Sequence, residues 1–115
     1  GMANTFLYAQ GYDIGASLAE KDMADTARAI MRAADGVCEL LLPVDVVVAV
    51  EVKPGVSSRT VGLAGIGADD KILDAGPATL RRLIAAMNDS ATLIWNGPLG
   101  VFEIPPFDKA TVEAA

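Results

Sequence analysis

Residues 38–50 read Cys38-Glu39-Leu40-Leu41-Leu42-Pro43-Val44-Asp45-Val46-Val47-Val48-Ala49-Val50, and their reading decides the fold class. Two short aliphatic or β-branched runs, residues 38–42 and 46–50, flank Pro43-Val44-Asp45. Their apolarity is continuous rather than alternating, which predicts strands covered on both faces, and a parallel sheet is the expected way to cover them. The stretch is far short of the roughly 20 apolar residues that a membrane span needs. Asp45, entering a buried strand, must find donors or shift its pKa, and a satisfied acid capping a loop is its expected role.

Upstream of this stretch, Ser17-Leu18-Ala19-Glu20 has the capping-box pattern, and a helix is expected from there or from Asp22 to about Ala34. Met23, Ala27, Ile30, Met31 and Ala34 share one face of it, and Asp35-Gly36 ends it. The long side chains of Lys21, Arg28 and Arg32, with Asp25, are expected to cover a solvated face. Downstream, residues 52–67 read as a loop rich in Gly, Ser and Val with one irregular strand around Arg59 to Leu63, and residues 71–74 as a further strand. Gly76-Pro77 then turns into a helix striped by Leu80, Leu83, Ile84 and Met87, with Pro placed in the first turn, where its missing N–H costs nothing. A last strand is predicted over residues 92–95 and a terminal helix over 107–115. Strands alternating with helices make the class α/β: a three-layer, Rossmann-like, mostly parallel sheet with flanking helices, left incomplete. The last residues, Glu113-Ala114-Ala115, carry no stop signal, so the chain reads as cut rather than finished.

Composition narrows the function. With 115 residues, 52% of them hydrophobic, the chain is expected to form one globular unit with a single core. Nine basic against fifteen acidic residues give a net charge of −6, which offers no broad cationic surface for nucleic acid or an anionic membrane. The absence of histidine removes imidazole bases and Cys/His zinc sites, and a lone Cys38 forms no internal disulfide. The expected compartment is the cytoplasm, with Cys38 an inert buried thiol and Trp95 packed in the core.

Two glycine turns leave predicted strand ends, Asp74-Ala75-Gly76-Pro77 and Asn96-Gly97-Pro98-Leu99-Gly100, where open sheets bind ligands. The first opens a helix whose free N–H groups would hold an anion. On pattern alone each is an ordinary strand-to-helix turn, and Glu103, beside the second, an ordinary surface acid.

Four motifs change that weighting. Met2-Ala3-Asn4-Thr5-Phe6-Leu7, Leu42-Pro43-Val44-Asp45-Val46-Val47-Val48-Ala49, Asp74-Ala75-Gly76-Pro77 and Trp95-Asn96-Gly97-Pro98-Leu99-Gly100-Val101-Phe102-Glu103 resemble, in order and spacing, those of phosphoglycerate kinases. The resemblance implies a segment, residues 1–115, from the middle of the C-terminal nucleotide-binding domain of a monomeric, two-domain glycolytic kinase. Such enzymes move a phosphoryl group between 1,3-bisphosphoglycerate and ADP, giving 3-phosphoglycerate and ATP, with Mg2+. By the same resemblance, Gly1 lies near the nucleotide base, and Leu18, Leu73 and Val101 are apolar walls of the adenine slot. Asn96 lies near the phosphates, Gly97, Pro98, Leu99 and Phe102 shape the loop, and Glu103 holds the ribose hydroxyls. The resemblance further implies that the phosphoglycerate-binding domain and the magnesium-holding Asp are not in this chain. No catalytic or metal-holding residue is therefore expected here, nor turnover by the chain alone. The alternative expectation is a non-catalytic remnant, blind to nucleotide, that self-associates through exposed sheet edges.

Overall fold

Val46 and Val48 project to one side of their strand and Val47 and Ala49 to the other, and both sides are covered. In the computed structural model, which describes residues 1–115, that strand is β1 (Asp45–Ala49) and lies at the centre of a three-stranded sheet. Ile66, Val61, Leu63 and Ile72 pack on the Val46 and Val48 face. On the opposite face Ala49 meets Leu73 and the fully buried Phe107, a ring whose burial contributes roughly 2–3 kcal/mol.

The α/β class with flanking helices holds, but the sheet is not mostly parallel. Its order is β2 (Arg59–Gly62), β1, β3 (Lys71–Ala75), and both pairings are antiparallel, with Val46 opposite Val61 and Ala75. A parallel pair needs a crossover of about a dozen or more residues, usually a helix, and no helix longer than the short 3-10 turn Leu63–Gly65 separates these strands. Covering both faces of β1 therefore did not require parallel neighbours. The register shifts between Val47 and Val48.

Helix α1 (Met2–Ala9) packs against α2 (Ala24–Ala34), which follows a 3-10 turn at Lys21–Met23. Apolar periodicity does not announce α1, because its buried face includes Asn4 and Thr5 beside Leu7 and Ala9. The Ser17–Glu20 capping box does not form: Ser17 Oγ instead accepts the Ile72 N–H at 2.8 Å, tying this loop to β3. The Arg28 Nε–H donates to the Ala9 carbonyl at 3.0 Å, and the same guanidinium pairs with Asp25. Arg28 thus joins α2 to the carbonyl end of α1, where a cation is favoured, rather than lying on a merely solvated face. Gly36, at φ 74°, ends the α2 region as expected.

Helix α3 (Pro77–Asn88) starts at the expected Gly76-Pro77, and α4 (Lys109–Ala114) closes the chain. Residues 38–42 and 92–95 are not strands. No backbone hydrogen bond involves residues 92–95, and Leu93 and Ile94 are exposed. Their strand propensity is real, but a ladder needs a neighbour's backbone, and none lies beside them. The core is accordingly divided into three small clusters rather than one. The accessible surface, 7048 Å², exceeds the about 6,000 Å² expected of a folded monomer of 11.9 kDa.

Candidate functional site

The two glycine turns behave differently. At the start of α3, Asp45 Oδ2 accepts the Ala78 N–H at 2.9 Å and Oδ1 accepts the Thr79 N–H at 2.8 Å. A Cβ on Gly76 would lie 2.3 Å from the Asp45 carboxyl carbon, so only glycine admits this approach. The helix N-terminus that the sequence offers to an anionic ligand is therefore filled by the protein's own carboxylate. Burial works to raise the Asp45 pKa, but the bonds from Ala78 and Thr79, with Arg81 nearby, outweigh it and hold the carboxyl below its ordinary value.

The second turn builds a cavity. Pro98, Leu99, Gly100 and Val101 line a cavity of about 210 Å³ with Leu73, Asp74 and Ala75 of β3, and Gly1 and Asn4, at the start of the chain, line it too. The Val101 N–H donates to the Leu73 carbonyl at 2.9 Å, holding the loop against the strand end. Leu99 N–H donates to Thr111 Oγ at 2.9 Å. Gly100 sits so tightly that a Cβ there would lie 2.4 Å from both Asp74 Oδ1 and the Phe107 carbonyl. Asp74, 2% exposed, accepts the Ala75 and Ala110 N–H groups. Burial, with Asp108 and Glu113 nearby, raises its pKa against those two bonds.

Beside this cavity lies a larger, mostly apolar groove of about 540 Å³ between α1 and α2, with Leu18, Phe6, Met23 and Ile30 in its lining. Gly1 borders both spaces, and the Leu18 side chain is 3.8 Å from where a Gly1 Cβ would stand. Asn4 Nδ2 donates to the Leu18 carbonyl at 3.0 Å and fixes that segment.

Five of the ten residues singled out from sequence, Gly1, Leu73, Pro98, Leu99 and Val101, thus share one cavity, and Leu18 adjoins it through Gly1. Asn96, Gly97, Phe102 and Glu103 line neither space. They lie on the exposed continuations of the same loop, and Glu103 makes no hydrogen bond or ion pair within the chain. Trp95 is not a core residue but 41% exposed, because residues 92–95 lack a covering layer. Cys38 is likewise exposed, lying past the end of α2 beside an open surface. Asn4 and Asp74, quoted within motifs but given no role of their own, and Thr111 are the site components that sequence reasoning did not assign. An Asn and a Thr in the first turns of an otherwise apolar helix were a usable signal for Asn4; the contacts of Asp74 with Ala110 and of Thr111 with Leu99 join separate parts of the chain and cannot be read from their own neighbourhoods. No three Asp, Glu or Cys side chains converge as a metal cluster would.

A sequence model of the phosphoglycerate kinase family matches residues 1–115, the full length. The chain belongs to the phosphoglycerate kinase family. The phosphoglycerate kinase of Caulobacter vibrioides is 67% identical over 116 aligned positions that cover all of this chain, and that of Maricaulis maris 57%. The phosphoglycerate kinase structure from Coxiella burnetii superposes with a TM-score of 0.92 at 41% identity, over 97% of this chain and 29% of the other. This chain spans 29% of the length of the curated phosphoglycerate kinases it matches. No helix is long and apolar enough to cross a membrane.

Proposed function

We propose that this chain carries part of the adenine-nucleotide site of a phosphoglycerate kinase. The observation that supports this most is the convergence of Gly1, Leu73, Pro98, Leu99 and Val101, from three separate parts of the chain, on one cavity. In this reading Leu18, Leu73 and Val101 supply apolar faces to the base. Gly1 lets the backbone approach it, and the Gly97-Pro98-Leu99 turn with Phe102 shapes the entrance. Asn96 reaches toward the phosphates, and Glu103, exposed and free of internal partners, accepts hydrogen bonds from the ribose hydroxyls.

The whole enzyme would move a phosphoryl group between 1,3-bisphosphoglycerate and ADP, with Mg2+ accompanying the nucleotide. No residue of this chain is assigned to Mg2+ in this reading. Neither the cavity nor the groove has a Lys or Arg in its lining. Phosphoryl transfer relies on positioning and neutralisation of charge, so the chain alone binds nucleotide without turning it over.

Titration with MgADP, read by Trp95 fluorescence and thermal melting together, tests the reading. Saturable stabilisation is expected, and Glu103→Ala should weaken it by about 1.5–3 kcal/mol, the worth of a charged hydrogen bond. A cooperatively folded chain that ignores MgADP would sink the proposal. The second reading, a remnant that self-associates, is favoured by the exposure of Leu93 (55%) and Ile94 (88%) on a backbone without partners. It predicts a concentration-dependent mass in sedimentation that nucleotide does not alter.

A further inference from the structure

The loop that forms the cavity wall has few anchors. Residues 91–98 make no backbone hydrogen bond, so the chain arrives at the loop untethered. The first fixed amide after Trp95 is that of Leu99, and its acceptor is not backbone but the hydroxyl oxygen of Thr111, at 2.9 Å. The next is Val101, held by the Leu73 carbonyl. Thr111 belongs to α4, and α4 is itself tied to the strand end, since the Ala110 N–H donates to the buried Asp74 carboxylate at 3.0 Å. The same carboxylate lies under Gly100, leaving no room for a side chain there. Strand β3, helix α4 and the loop are thus linked in a closed circuit, in which Asp74 makes one connection and Thr111 another.

We propose that Thr111 is a positioning residue for the nucleotide loop: by accepting the Leu99 N–H it sets how far Pro98 and Leu99 stand from the Leu73 wall, and hence the width of the cavity. The proposal rests on the nucleotide reading above for its consequence, but the geometry it asserts exists without ligand. Thr111 touches no nucleotide in this account. It acts through Leu99, and only its oxygen matters, so serine replaces it and the isosteric valine does not.

The test uses the full chain with Thr111→Val and Thr111→Ser. Amide hydrogen exchange without nucleotide is read at Leu99, melting temperature is read alongside, and affinity is measured with MgADP. The expected result for Thr111→Val is exchange at Leu99 faster by about three- to tenfold, with the protection of β1 and β3 and the melting temperature nearly unchanged. MgADP should bind more weakly by a similar factor, and Thr111→Ser should restore both. Unchanged exchange at Leu99, or a failure of serine to restore it, overturns the proposal. So does a Thr111→Val chain with protection lost throughout, which would make Thr111 a general stability residue. If the wild type ignores MgADP while Leu99 exchange responds as stated, the nucleotide reading fails and the positioning contact stands.

Discussion

Replacing Asp45 with asparagine tests the clearest long-range bond in the molecule. The carboxylate receives the Ala78 and Thr79 N–H groups at the start of α3, and Thr79 Oγ, 2.7 Å from Oδ1, completes the link. Asparagine keeps one acceptor and turns its NH₂ toward the other donor, so a charged hydrogen bond is lost and an amide is left facing an amide. Such a loss costs about 1.5–3 kcal/mol. At about 2.1 cal/mol/K of unfolding entropy per residue over 115 residues, each kcal/mol moves the melting temperature by about 4 °C, giving a fall of about 6–12 °C near neutral pH. The pH dependence supplies an independent check. The Asp45 pKa is lowered from 3.8 in the folded chain, so its stabilisation is complete above 3.8 and is lost as pH falls through the lower folded value. The variant has no such group, and its melting temperature should converge with the wild type's in acid. Differential scanning calorimetry from about pH 7 to about pH 2.5 reads both effects. A fall of less than about 2 °C at neutral pH, or a gap that does not narrow in acid, would refute the capping argument.

Three further outcomes follow from the same structure. Asp74→Asn should show the opposite pH trend to Asp45→Asn: the Asp74 pKa is raised, so its contribution is greatest below 3.8 and is lost as pH rises through the folded value, and the wild type should gain on the variant as pH is lowered from neutral toward 3.8. A wild type that loses ground to the variant as pH is lowered over that interval would contradict the buried placement of this carboxylate. Gly100→Ala puts a methyl group 2.4 Å from Asp74 Oδ1 and the Phe107 carbonyl, and should cost about 1–3 kcal/mol in urea unfolding; an unchanged midpoint would mean that the loop is free to move away. Cys38, being exposed, should react with a thiol-specific reagent in the native chain at a rate within about tenfold of the unfolded one, and protection by about a hundredfold would show that the surface past α2 is covered in solution.

The molecule is open on its outer side. The chain spans 29% of the length of the curated relatives it matches; within it, segment 92–95 has no backbone partner and the groove with Phe6, Leu18, Met23 and Ile30 in its lining is open. Its surface is larger than a monomer of its mass normally shows. Composition overstates the core here: residues that read as interior, Trp95, Leu93 and Ile94 among them, lie exposed.

What local sequence settled is what local chemistry controls. Gly76-Pro77 marked the start of α3, Gly36 the end of the α2 region, and the β-branched run at Val46 and the short apolar pair Ile72-Leu73 became β1 and β3, because turn preference, proline's fixed φ and side-chain crowding act within a few residues. The family motifs, being contiguous, were legible for the same reason, and three of the residues singled out within them, Pro98, Leu99 and Val101, line one cavity. Tertiary structure alone decided the rest. Whether residues 38–42 and 92–95 are strands depends on a second backbone to bond with; strand direction depends on the connections; and the anion site at α3 was closed by Asp45, more than thirty residues away in the chain. Ser17, Asp74 and Thr111 likewise bond to partners far along the sequence. A hydrogen-bonding group carries no record in its own neighbourhood of which distant group will satisfy it, so these contacts become visible only when the chain is folded.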